Sequence, residues 1–288
     1  MTRSAPITGS SEPEGFTEHD VTAGGLRLHV RRRHGGEGPP LLLIHGLGGS
    51  LDSWGALLDS LPGRGVIMID TPGMGQSELP RFPLRVGTIA DRLAEAVRKL
   101  GVDRVDVLGY SHGGIVAQEF ARRHPEMLAR LVLVATTAGI PWVPPRPRVQ
   151  RALLSTRRYR SRAAAERDMP ILAGGRVARD PDILRMILDD RQAHPPTTRG
   201  YHYLGLGLFG WCSHLWLHTL RCPTLVVHGS ADPLVRPVNG RVLAARISTA
   251  RLALLPGAGH MVLFDEPERI GAIVSEFLTQ PHPHDADR

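Results

Sequence analysis

The chain has one lysine, two cysteines and no long apolar run. Lys99 is the only lysine among 35 basic residues, so the net charge of +7 rests on 34 arginines. That skew fits codon bias in a GC-rich genome better than a binding patch. No recognition helix, aromatic-basic RNA signature or zinc spacing accompanies it, which argues against a nucleic-acid partner. Two cysteines cannot staple a disulfide framework, and Cys222 leads straight into an apolar run, so Cys212 and Cys222 read as free thiols. No stretch reaches the roughly 18 uninterrupted apolar residues of a membrane span. Residues 1–20 have neither the apolar core nor the cleavage site of a secretory signal. The expectation is a cytoplasmic chain without a transmembrane segment.

What is present is length and a β-α rhythm. A chain of 288 residues suffices for one large α/β domain with an insertion. Leu41-Leu42-Leu43-Ile44 and Val66-Ile67-Met68-Ile69 are consecutive apolar runs that suit strands buried on both faces of a parallel sheet, whereas Leu26, Leu28 and Val30 alternate with polar residues as in a strand near an edge. Ile89, Leu93, Val97 and Leu100 recur at helical spacing, with Thr88 as a capping candidate and Gly101 as a stop. Leu131 to Val134 and Thr224 to Val227 give further core strands. Ile270, Ile273, Val274, Phe277 and Leu278 form the stripe of a closing helix that starts at Pro267, with Asp265 and Glu266 as its first-turn charges.

The stretch at residues 105–123 carries the chemistry. An apolar run from Val105 to Leu108 passes through Gly109-Tyr110-Ser111-His112-Gly113 into a helical pattern, so G-x-S-x-G falls on a strand-turn-helix. In that context it reads as a nucleophile elbow, although alone it also describes an ordinary glycine-rich turn. Asp232 follows the strand at Thr224, and His260 follows the last strand within Gly257-Ala258-Gly259-His260. The order Ser, Asp, His is that of α/β-hydrolases and differs from two unrelated protease orders. On these residues the chain resembles an α/β-hydrolase.

That resemblance implies an α/β-hydrolase fold, a mostly parallel central sheet flanked by helices, with a helical cap inserted after the sixth strand. The expected organisation is a disordered lead at 1–20, a core at 21–139 and 221–280, a cap or lid at 140–220, and a flexible tail at 281–288. Ser111, Asp232 and His260 are the expected catalytic residues, and the backbone N–H groups of Leu47 and His112 the expected oxyanion donors. His45 and Asp70 read as structural, Asp70 by bonding backbone N–H groups of the tight loop after it. The cap is basic in its first part, where arginines from Arg146 to Arg167, Arg158 among them, read as a solvated face. Its second part is apolar. Trp142, Trp211 and Trp216 are the candidate substrate contacts, with most cap aromatics packing the cap onto the body.

A closer similarity, from about residue 41 to residue 278, is to intracellular depolymerases of medium-chain-length polyhydroxyalkanoates. Its more specific signals are Arg157-Arg158-Tyr159, Gly174-Gly175 with Arg179-Asp180-Pro181, and Gly210-Trp211 with Trp216-Leu217-His218. Asn239, Arg241 and Leu243-Ala244 continue it. The chain departs from the family pattern at His112, where tryptophan is common, at His45, where asparagine is frequent, and at Ala231, where a second acidic residue often stands. The similarity implies a serine esterase that needs no cofactor or metal, acting on an ester substrate and associated with the polyester granule surface. A serine nucleophile disfavours the haloalkane dehalogenases and epoxide hydrolases of this fold, which use aspartate. The alternatives are a small-molecule carboxylesterase or carbon–carbon bond hydrolase and, from another class, a ligand-binding protein of this fold with little turnover. Oligomeric state is not legible.

Overall fold

Each apolar run becomes a buried strand. The computed structural model describes residues 15–36, 38–139, 143–193 and 195–280. Among them lie β1 (Phe16–Ala23), β2 (Leu26–Arg33), β3 (Leu41–Ile44), β4 (Val66–Ile69), β5 (Val105–Tyr110), β6 (Leu128–Val134), β7 (Thr224–Gly229) and β8 (Ala250–Leu255). They form one sheet in the order β1-β2-β4-β3-β5-β6-β7-β8. β1 and β2 pair antiparallel, β2 lies antiparallel to β4, and the remaining neighbours are parallel.

Strand alternation sends each run to two cores. Leu42, Ile44, Ile67, Ile69 and Val107 face one side, where they meet Ile89, Leu93, Val116 and Phe120. Leu41, Leu43, Val66, Met68 and Leu108 face the other, where they meet Trp54, Leu57, Val274 and Phe277. Of those partners, Leu57 lies on α1 (Gly55–Asp59), which follows Trp54; Ile89 and Leu93 lie on α2 (Val86–Lys99), and Val116 and Phe120 lie on α3 (His112–Arg123). Between β6 and β7 run α4 (Pro147–Leu154), α5 (Arg162–Ala173), α6 (Pro181–Ala193) and α7 (Thr198–Gly207), where the sequence places the helical insertion. α8 (Val238–Arg246), α9 (Val262–Asp265) and α10 (Pro267–Thr279) complete the chain. The insertion has a small core of its own, with Ala165, Met169, Ala173, Ile187 and Leu188 packed against Met261 of the body. Its two ends are stitched together: Gly139 bridges Cys212, and Ser213 bonds Ala138 O through both N–H and hydroxyl.

Two sequence expectations need correction. β1 begins at Phe16, inside the expected disordered lead; Thr17, Glu18, His19 and Asp20 face solvent, so its polar composition hides a strand held by full antiparallel register with β2. Glu18 and Asp20 pair with Arg31 and Arg27 across that ladder. α2 begins at Val86, so Thr88 lies within its first turn and is not its cap. Burial of Val86 in the core extends the apolar stripe toward the N-terminus. Gly101, at φ +72, ends the helix as the sequence indicates.

The turn between β5 and α3 leaves no room for side chains. A Cβ on Gly113 would lie 1.9 Å from Ile44 O, and one on Gly109 would lie 2.3 Å from Gly113 O. Backbone atoms cannot swing aside as a side chain can. Gly113→Ala is therefore expected to lower unfolding free energy by about 3 kcal/mol in urea titrations. Gly55→Ala, which meets nothing within 4 Å, should change it by less than about 1 kcal/mol. Equal effects would contradict the close strand-to-helix packing.

Candidate active site

Ser111 sits between β5 and α3 with φ 53 and ψ −116, one of two non-glycine residues at positive φ among those described. That conformation is strained for an L-residue. The surrounding backbone holds it: Ser111 N–H donates to Val134 O at 2.8 Å, and Ser111 O accepts from Gly114 N–H at 3.0 Å and from the Thr136 hydroxyl at 2.7 Å. The hydroxyl of Ser111 lies 3.0 Å from His260 Nε2, and His260 Nδ1 lies 2.8 Å from Asp232 Oδ2. Residues from the ends of three separate strands thus form one hydrogen-bonded row.

Local chemistry fixes each member. Asp232 Oδ1 accepts the N–H groups of Leu234 and Val235, both at 2.8 Å, so the loop after β7 orients the carboxylate. Burial works against its charge, but the neighbouring His260 and His228 outweigh that and hold its pKa below the usual value. His260 is fixed through its backbone: its N–H donates to Ala173 O at 2.6 Å, and its carbonyl accepts from Tyr110 OH at 3.0 Å. Burial pushes the Tyr110 phenol well above its ordinary pKa, so it stays a donor.

The expected structural residues behave as such. His45 Nε2 accepts from Thr71 N–H at 3.1 Å and Nδ1 lies 2.9 Å from Gly46 O, a pattern that assigns the proton to Nδ1. Asp70 accepts from Leu51 N–H at 3.1 Å and Gln76 N–H at 2.9 Å. Asp265 departs from expectation. Its buried carboxylate accepts the N–H groups of Val177 and Gly259, so it ties the insertion to the loop of His260 and is no first-turn charge.

A cavity of about 380 Å³ opens onto Ser111, Leu47, His112 and His260, and its remaining wall is largely apolar. Among the described residues no acceptor bonds the N–H of Leu47 or His112. Trp211 belongs to this wall, with its indole N–H donating to Glu119 at 2.9 Å. Trp216 does not: it stacks beneath the Arg122 guanidinium, 5.0 Å from its ring, and edge-on to Trp211, fastening the insertion to α3. Trp142 lies outside the described residues. Arg158, expected on a solvated face, is buried; it donates to carbonyls at the end of α4 and to Tyr201 OH at 2.8 Å, and it also borders the cavity.

Sequence reasoning missed three residues that brace or border the site. Tyr110 supports His260, Arg191 reaches the cavity wall beside Met169, and His228 Nε2 lies 3.4 Å from Asp232 Oδ2 and 2.7 Å from Val235 O. The x position of the elbow motif could have drawn attention to Tyr110. Nothing local marks the other two. Among the described residues no group of three or more His, Cys, Asp or Glu side chains is placed to hold a metal ion, and no helix is long and apolar enough to cross a membrane.

The buried His112 ring makes stability pH-dependent. Burial lowers its pKa from 6.5 to about 4, with the His45 ring adding to the effect. Between those values the unfolded chain binds the proton and the folded chain does not. Its contribution is therefore intact above pH 6.5 and is lost as pH falls through about 4. In denaturant titrations His112→Phe should lose about 3 kcal/mol less than the parent between pH 7 and pH 4. Asp106, whose burial raises its carboxyl to about 6, acts oppositely in both proteins and cancels from the comparison. Parallel pH profiles would contradict this placement of the ring.

Comparison with known proteins agrees with the geometry. The α/β-hydrolase fold family model matches residues 39–267. A poly(3-hydroxyalkanoate) depolymerase of Ectopseudomonas oleovorans is 36% identical over 242 residues, covering 84% of each chain. An esterase of Thermogutta terrifontis superposes with a TM-score of 0.77 at 28% identity, over 92% of this chain and 99% of that one. The enol-lactonase of Burkholderia xenovorans LB400 superposes with a TM-score of 0.78 at 27% identity, over 91% of this chain and all of its own. With an eight-stranded, mostly parallel sheet and a match spanning most of its length, the chain belongs to the α/β-hydrolase family and is a hydrolase.

Proposed function

We propose that the protein is a serine esterase that works through an acyl-enzyme. The carrying observation is the unbroken row Ser111 Oγ, His260 and Asp232, at 3.0 and 2.8 Å, opening onto an apolar cavity. Ser111 Oγ attacks the ester carbonyl as His260 Nε2 takes its proton, and Asp232 stabilises the imidazolium. The tetrahedral oxyanion is held by the N–H groups of Leu47 and His112. His260 then gives its proton to the departing alcohol, and water, deprotonated in turn by His260, releases the acid.

The substrate we propose is medium-chain-length poly(3-hydroxyalkanoate), cleaved to 3-hydroxy acids or oligomers. The similarity to the Ectopseudomonas depolymerase over 84% of both chains supports it. A cavity of about 380 Å³ lies within the roughly 300–1,000 Å³ of small-ligand sites and suits an acyl unit. The residues at 140–220 act in this reading as a cap over the site. Leu154, Leu206, Phe209 and Leu215 are apolar yet exposed on it, and Leu206 and Phe209 also line the cavity. That continuity suits adsorption to a granule surface in the cytoplasm.

Purified protein incubated with amorphous medium-chain granules should release soluble hydroxy acid, and release should stop in Ser111→Ala. Hydrolysis of p-nitrophenyl octanoate without release from granules would keep the esterase and discard the polymer.

A further inference from the structure

The wall of the cavity carries positive charge that the mechanism above does not use. Arg158 and Arg191 both belong to it, and no aspartate or glutamate does. Arg158 is spent: it is buried, and it donates to the carbonyls of Ala152 and Leu153 and to Tyr201 OH. Arg191 is not. Among the described residues it makes no ion pair, and its one hydrogen bond runs from Nη1 to the Met169 sulfur at 3.9 Å, a weak acceptor. Arg162 and Arg185, on the same insertion, each hold an aspartate. The Met169 contact also places the guanidinium, because Met169 is buried and lines the cavity. Burial raises the pKa of the Tyr110 and Tyr201 phenols, two further wall residues, and the Arg191 charge works against it at both. The charged head of Arg191 thus stands at the cavity, not its aliphatic stem alone.

The chemistry of that head restricts its ligand. A guanidinium stays charged at any pH at which the protein is folded, donates through a planar fork of N–H groups and accepts nothing. Beside a largely apolar wall it favours an anion whose paired oxygens receive that fork, and the anion that ester chemistry supplies is a carboxylate. A plain fatty acyl ester has none, and neither has an interior unit of a polyester. An ester whose acyl or alcohol half ends in a free carboxylate has one. The last bond at the carboxyl end of an oligoester is such a case.

We infer that Arg191 forms a carboxylate subsite of the cavity, so that the site favours short esters carrying a free carboxylate, carboxyl ends of oligoesters among them, over neutral esters. This rests on the esterase reading of the same cavity and goes beyond it by setting chain end against chain interior.

The test compares kcat/KM of the full chain within two pairs of esters matched except for charge. p-Nitrophenyl hydrogen suberate against p-nitrophenyl octanoate puts the carboxylate on the acyl half. The linear dimer of 3-hydroxyoctanoate against its methyl ester puts it on the alcohol half. In at least one pair the parent should favour the acid by about tenfold or more, the effect of one charged hydrogen bond, and the responding pair identifies the half that meets Arg191. Arg191→Met should bring that ratio to unity or below, and Arg191→Lys, which keeps the charge but not the fork, should retain part of it. Each ratio is internal to one protein, so a general loss of activity or of folded fraction cancels. No preference for the acid in either pair, or an unchanged ratio in Arg191→Met, would overturn the proposal and leave the esterase standing. If the parent turns over none of these esters, the esterase reading fails first and takes this one with it. A second readout leaves Arg191 intact: in crystals of Ser111→Ala soaked with the preferred acid, its carboxylate should lie about 3 Å from the Arg191 guanidinium. A carboxylate turned out to solvent would overturn the proposal.

Discussion

Ser111→Ala is expected to lower kcat for p-nitrophenyl octanoate by about four to six orders of magnitude, with little change in KM. The alanine removes the atom that lies 3.0 Å from His260 Nε2 and leaves that imidazole nothing to deprotonate. The amides of Leu47 and His112 and the apolar cavity stay in place. A residual acceleration of about 10³ to 10⁴ over water follows from them. The substitution keeps the Cβ, and the positive φ is imposed by bonds to Val134 and Thr136, so the thermal midpoint should move little. A variant retaining more than about a tenth of the parent rate would contradict Ser111 as nucleophile.

Asp232→Asn is expected to cost about 10⁴ in kcat, because it changes a proton's position more than it changes shape. Asp232 Oδ1 already accepts the N–H groups of Leu234 and Val235, and an asparagine keeps its oxygen there. Its NH₂ then faces His260 Nδ1. A donor in that position selects the tautomer with the proton on Nε2, facing Ser111, and such a ring cannot act as base. Steady-state kinetics at neutral pH, with a crystal structure showing unchanged placement, checks this. Loss of less than about tenfold would mean that Asp232 does not set the tautomer. The carboxylate's depressed pKa adds a stability term that is full above the unfolded value of 3.8 and is lost as pH falls through the lower folded value.

Much of the architecture is legible in the sequence because each feature is local. Four-residue apolar runs announce buried parallel strands, as at Leu41–Ile44 and Val66–Ile69. Gly109 and Gly113 mark a turn too tight for a Cβ. Ser111, Asp232 and His260 each follow a recognisable strand, and strands of one parallel sheet deliver their following loops to one edge. The illegible features depend on partners distant in sequence. β1 has no apolar pattern of its own and exists because β2 pairs with it. Asp265 resembles a helix-start charge until Val177 and Gly259 are seen to use it. Trp211 and Trp216 are indistinguishable as residue types, and only their partners on α3, Glu119 for one and Arg122 for the other, accompany the difference that Trp211 lines the cavity and Trp216 does not. Arg158 reads as one more basic residue, yet the carbonyls ending α4 draw it inside.

The central claim is that Ser111 is a nucleophile activated by His260. Treating the protein with a fluorophosphonate and mapping the adduct by mass spectrometry tests it most directly, since only an activated serine reacts quickly. The account predicts one adduct per chain, on the peptide containing Ser111, absent in Ser111→Ala and formed far more slowly in Asp232→Asn. No adduct, or an adduct on another residue, would contradict it.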